Sequence, residues 1–169
     1  ARRMPGLRIS EATIAAGLAK AVWPGRLQLL AAGKLTAAAG PDLELWLDGG
    51  HNRAAAEALA DHVTDPAGGW RDRPLYLVFG AMNTRPPEDF LRPLAARAAA
   101  LRAVPVSGEE NTLDPADAVV AARAVGLDAA AAADVASALK DIRKIATEPG
   151  RVLICGSLYL AGAVLAENG

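Results

Sequence analysis

The sequence predicts an α/β fold, a mostly parallel sheet with helices on both faces, in one domain of three layers. Three observations predict it. Short apolar runs at 43–47, 75–79 and 151–155 alternate with Ala-rich amphipathic stretches. Gly, Pro and Asp bound those runs, marking strand ends and turns. The segment lengths suit right-handed crossovers, in which each helix returns the chain to the next parallel strand. The layout is Rossmann-like, yet no G-x-G-x-x-G follows the first strand and no G-x-x-x-x-G-K-[ST] occurs anywhere.

Residues 1–7 begin without Met and read as a cut end, with Arg2-Arg3 as a solvated terminus. Ser10, with Glu11 and Thr13, caps a helix expected over 10–22, with Ile14, Leu18 and Val22 along one face. Pro24 biases Trp23 away from helix and Gly25 permits a turn, so Arg26 falls at the hinge before a strand over 27–30. Residues 33–42 are expected as a loop, returning as a hairpin into the strand that ends at Asp48. Gly49-Gly50 allow a tight turn, and Asn52 caps a helix over 53–63. A loop over 64–74 precedes the strand at 75–79. The loop 80–87 leads to a helix expected over 88–100, with Pro86 and Pro87 near its first turn. A strand over 101–106 and a polar exit at 107–111 follow. Asp114 caps a helix to Val125, a short strand is expected within 127–132, and Asp134 caps a helix over 135–147. The last unit is the strand 151–155, the turn Gly156-Ser157 and a helix over 158–167.

Composition narrows the function. At 169 residues the chain suits one domain with a proper core. Its net charge of −1 argues against a nucleic-acid surface. The longest apolar stretch, 152–166, is broken by Gly156-Ser157 and is too short for a membrane span. The only thiol, Cys155, excludes an intramolecular disulfide, suits a reducing cytoplasm and reads as a small buried hydrophobe.

The stretch from Leu43 to Asn52 concentrates the candidate chemistry. A strand, a glycine turn and a helix start present free backbone N–H groups at the carboxyl edge of a sheet, where open α/β folds bind ligands. Asp48 suits ribose hydroxyls or a cation; His51 suits a phosphate, a ring face or a proton. The same residues would also make an ordinary βα turn, and the spacing leaves the two open. No second His or Cys stands at metal-ligand spacing from His51, so no metal site is expected on this chain. His62 reads as an exposed helix residue. Gly156-Ser157, ending a strand and opening a helix, suits a carboxylate, although Ser157 would equally serve as a plain N-cap.

Four motifs together carry a family resemblance: Trp23-Pro24-Gly25-Arg26-Leu27, Asp48-Gly49-Gly50-His51-Asn52, Val78-Phe79-Gly80-Ala81-Met82 and Gly156-Ser157-Leu158-Tyr159-Leu160. In order and spacing the chain resembles the C-terminal domain of the bifunctional folylpolyglutamate synthase/dihydrofolate synthase enzymes, a branch of the Mur ligase superfamily. The resemblance implies that residues 1–169 are a single Mur ligase-type C-terminal domain, and that an ATP-binding P-loop domain precedes it in the parent chain. It implies an ATP-dependent ligase in which dihydropteroate or folate is activated as an acyl phosphate and the amine of L-glutamate displaces phosphate. ATP and Mg2+ would be held mainly by the P-loop domain, in the cytoplasm. This chain would close over ATP and help to bind glutamate. Residue by residue, Arg26 matches a catalytic arginine at the ATP phosphates. Asp48, Gly49, His51 and Asn52 form the loop at the nucleotide, and Ser157 with Arg85 is expected at glutamate. The chain departs from the pattern at 83–89, where many relatives carry Asp-Lys-Asp; Arg85 replaces that lysine or is a loop charge. If Asp48 and His51 meet the nucleotide, alanine at either should alter ATP kinetics and spare the melting temperature. The competing classes are a stand-alone nucleotide- or amino-acid-binding module and an interaction domain.

Overall fold

The computed structural model describes residues 9–169; the expectations for 1–7, including Arg2-Arg3, lie outside the described residues. The elements are α1 (Glu11–Lys20), β1 (Gln28–Leu29), α2 (Lys34–Ala39), β2 (Leu43–Leu47), α3 (Arg53–Thr64), β3 (Leu75–Phe79), α4 (Glu88–Ala95), β4 (Ala98–Ala103), α5 (Pro115–Ala124), β5 (Ala129–Ala131), α6 (Val135–Ile145), β6 (Gly150–Cys155) and α7 (Leu158–Asn168). A 3-10 turn at Pro66–Gly68 lies between α3 and β3. The strands order as β1-β2-β6-β3-β4-β5. All neighbours pair parallel except β1, which runs antiparallel to β2.

Period-two alternation divides the core. Tyr76, Val78, Val152 and Ile154 pack with residues of α2, α6 and α7 on one face. Leu75, Leu77, Phe79 and Leu153 pack with residues of α3, α4 and α5 on the other. Both faces are covered, as the apolar runs predict for a parallel sheet. β6, last in sequence, is inserted between β2 and β3. The chain leaves β2 into the α3 layer but leaves β6 into the α7 layer, so a crevice opens at the carboxyl ends of these central strands, the usual ligand position in such sheets.

Three expectations are corrected. The segment 33–42 is not a plain loop, for it holds α2. The antiparallel return from β1 to β2 therefore runs through a helix and not a hairpin. The local signal for α2 is slight, Thr36 Oγ1 accepting from Gly33 N at 2.7 Å, and its first N–H groups are capped from far along the sequence: Asn168 Oδ1 accepts from Leu35 N and Thr36 N at 3.1 and 3.3 Å. Next, the helix expected to reach residue 100 stops at Ala95, and the strand begins at Ala98 instead of Leu101. The alanines at 98–100 favour helix in isolation, but pairing with β3 from Leu75 to Phe79 overrides that preference. The Arg97 guanidinium fixes the turn between them by donating to the carbonyls of Val63, Trp70 and Arg73. Finally, α1 ends at Lys20 and buries no residue, leaving Leu18 and Val22 exposed. The caps at Ser10, Asn52, Asp114, Asp134 and Ser157 all form.

Candidate functional site

The four motifs meet at the carboxyl edge of β2, β6 and β3 and are tied together by backbone. Gly49 N donates to Gly25 O at 2.7 Å, Gly156 N to Gly50 O at 3.1 Å, and Gly80 N to Cys155 O at 3.1 Å. Approach this close needs glycine. Gly156 has φ +112°, and a Cβ on it would stand 2.7 Å from both Gly80 O and the Phe79 ring. At Gly49 a Cβ would run into Leu158 and stand 3.1 Å from Arg26 Nη1, so the Arg26 guanidinium lies over that glycine.

Asp48 is buried and uses both oxygens as acceptors: Oδ2 from Leu27 N at 2.8 Å and Oδ1 from Gly50 N at 2.6 Å. The first bond is the informative one. Leu27 is the only non-glycine with positive φ among the described residues, at +40°, a conformation that costs of order 1–3 kcal/mol unless its surroundings hold it. Asp48 thereby fixes the backbone immediately after Arg26 and aims that arginine over its own loop. Asp48→Ala leaves two N–H groups without an acceptor, and the expected loss is ~3 kcal/mol of stability. For Asp48, then, the expectation of an unchanged melting temperature is revised.

His51 behaves differently. It is exposed, and its Nδ1 lies 3.1 Å from Gly49 O. A carbonyl only accepts, so Nδ1 carries the proton and Nε2 faces outward. His51→Ala should leave the melt nearly unchanged, and paired thermal melts of the two variants check this contrast. Asn52 caps α3 by accepting from Ala55 N at 2.9 Å.

Three cavities border His51, the smallest, of about 250 Å³, also taking in Asn52 and Arg85; the two larger ones flank it. One, of about 450 Å³, is lined by Arg26, Asp48, Gly49, Asn52 and His62 together with apolar residues of α3. The other, of about 480 Å³, receives Arg85 and Ser157. His51 lines both. The expected residues thus fall into two groups with one shared wall, Arg26 on one side and Arg85 on the other. Arg26 and Arg85 make no hydrogen bond or ion pair among the described residues. Ser157 is buried and caps α7, accepting from Tyr159 N at 3.1 Å.

Met82, quoted above only as part of a motif, and Glu109 and Asn111, expected only in a polar strand exit, also line the second cavity. Their signal was available. They follow the carboxyl ends of β3 and β4, the same position that singled out 48–52. Cys155 lies beneath the site, and burial, followed by the charge of Asp48, pushes its thiol far above the ordinary value, so it is inert packing. His62 is exposed as expected, edge-on to Trp70 with ring centroids 5.5 Å apart.

A doubly covered, mostly parallel sheet, with glycine turns and two arginines gathered at its switch point, defines an α/β domain with a candidate site at its carboxyl edge. The chain belongs to the dihydrofolate synthetase C-terminal domain family, whose profile matches residues 32–167. No curated protein sequence matches it. Among solved structures, the bifunctional folylpolyglutamate synthase/dihydrofolate synthase of Yersinia pestis is 22% identical with a TM-score of 0.72, over 95% of this chain and 35% of that one. E. coli FolC in complex with DHPP and ADP is 23% identical, with a TM-score of 0.73 and the same coverage. Mycobacterium tuberculosis folylpolyglutamate synthase complexed with ADP is 22% identical, TM-score 0.74, over 94% of this chain and 35% of that one. At such identities the likeness speaks for the fold. The chain spans about a third of the length of these relatives.

Proposed function

We propose that this chain is the C-terminal domain of a cytoplasmic ATP-dependent ligase that joins L-glutamate to dihydropteroate or a folate through an acyl phosphate. An ATP-binding P-loop domain of the same parent chain supplies the rest of the site. The observation that carries the reading is the pair of cavities sharing His51, with an unpaired arginine on each side. One cation faces the transferring phosphoryl group, and the other faces a carboxylate of the incoming amino acid. A related Yersinia pestis protein has been solved with Mn, AMPPNP and L-glutamate bound, which supports assigning both a nucleotide and an amino acid to such an assembly.

In this reading the domain closes over ATP. Arg26, aimed by Asp48, donates to the phosphoryl oxygens as charge builds on them, and the turn at Gly49, His51 and Asn52 lies along the nucleotide. Ser157 and Arg85 hold glutamate so that its amine faces the acyl phosphate; the C–N bond forms, the bond from acyl carbon to phosphate oxygen breaks, and phosphate leaves. Mg2+, bound by the P-loop domain, would neutralise phosphate charge. Among the described residues, no group of three or more His, Cys, Asp or Glu side chains could hold a metal ion, so the chain's own contribution is cationic and positional. No helix among the described residues is long and apolar enough to cross a membrane.

The purified 169-residue chain should form no ADP from ATP, dihydropteroate and glutamate, because phosphoryl transfer requires P-loop and metal-ligand groups that its residues do not provide. ADP formation by this chain alone, measured in a coupled assay, would sink the two-domain assignment.

A further inference from the structure

The cavity of about 480 Å³ is of the size that small-molecule sites occupy, and its walls carry charge of both signs. Arg85 supplies a cation and Glu109 an anion. Neither side chain makes a hydrogen bond or an ion pair with any described residue, so they do not neutralise each other. Glu109 is half-buried, and its carboxylate is open to the cavity and available to a ligand.

The segment bearing Glu109 is built against the loop that bears Arg85. Asn83 N donates to Asn111 O at 2.9 Å and Leu113 N to Ala81 O at 2.8 Å, while Met82 and Thr112 form an isolated β-bridge. The turn itself is closed by Glu109 N donating to Val106 O at 3.3 Å and by Val106 N donating to Thr112 Oγ1 at 2.8 Å. These bonds hold the two segments together, so that the residues bearing the two charges border one cavity.

A wall that carries an unpaired cation, an unpaired anion and the N-terminus of α7 complements a zwitterion: carboxylate toward Arg85 and Ser157, ammonium toward Glu109. We propose that Glu109 is the ammonium-binding residue of this cavity and selects α-amino acids over dicarboxylates that lack the amine. The inference rests on the reading above that the cavity receives glutamate. It adds a residue, and a chemical basis for choosing the substrate by its nitrogen.

The test uses the full-length parent enzyme, with glutamate as substrate and glutarate, the same diacid without the amine, as competitive inhibitor. Glu109→Gln keeps the shape and removes the charge. It should raise KM for glutamate about tenfold, leave KM for ATP unchanged, and leave glutarate inhibition as strong as before or stronger. Arg85→Ala should weaken glutamate and glutarate together. An unchanged glutamate KM in Glu109→Gln, while Arg85→Ala raises it, overturns the role of Glu109 and leaves the cavity assignment standing. An unchanged glutamate KM in Glu109→Gln, Arg85→Ala and Ser157→Ala alike overturns the cavity assignment itself. Equal weakening of glutamate and glutarate by Glu109→Gln also overturns the proposal, since it would show no selection through nitrogen.

Discussion

Arg26→Ala in the full-length parent should lower turnover about 100-fold, the loss of ~3 kcal/mol typical when one preorganised donor to a developing anion is removed. The size of the effect follows from preparation. Pro24 and Gly25 turn the chain, Leu27 is held at positive φ by Asp48, and Gly25 O is bonded to Gly49 N, so the backbone on either side of Arg26 is fixed before any ligand arrives. A surface arginine in an ordinary ion pair would be worth ~1 kcal/mol at most, and Arg26 has no such pair among the described residues. Single-turnover measurement of ADP formation beside a thermal melt decides between the two. A slow enzyme with an unaltered melt supports the phosphoryl role, and an unaltered rate removes it.

Gly156→Ala should cost about 3 kcal/mol of stability, as much as Asp48→Ala. Its backbone at φ +112° is one that L side chains rarely adopt, and the added methyl would press at 2.7 Å on Gly80 O and the Phe79 ring, neither of which has room to move. Gly80 O belongs to the next motif and Phe79 to the core, so the strain would spread to both cavities. Denaturant unfolding of the 169-residue chain should show a lower midpoint with a similar slope. Gly162, exposed on α7 with nothing within 4 Å of a built Cβ, is the natural control. Gly162→Ala should be neutral or stabilising.

Where the sequence reading succeeded, the determining forces were local. The apolar run at β3, the Asn52 cap on α3 and the turn at Gly156-Ser157 each depend on residues within a few positions, and all three stand where expected. It failed where a distant partner decides. α2 needs Asn168, and the boundary between α4 and β4 is set by pairing with β3 against the helix preference of alanine. The site shows the same division. Loop 48–52 was visible because a strand, two glycines and an N-cap adjoin, whereas Glu109 reaches its cavity only because the loops after β3 and β4 are bonded to each other. Asp48 was read as a ligand-type carboxylate, and its hold on Leu27, twenty-one positions upstream, could not be seen from spacing alone.

The position of β6 has a further consequence during synthesis. On a translating ribosome β2 and β3 both emerge before β6, the strand that belongs between them. Until residues 150–155 leave the exit tunnel, the nascent polypeptide carries two sets of open strand edges, and α2 lacks the Asn168 cap. Such edges are aggregation-prone while they wait. Assembly of the central sheet therefore waits on β6, and its rate is governed by long-range closure.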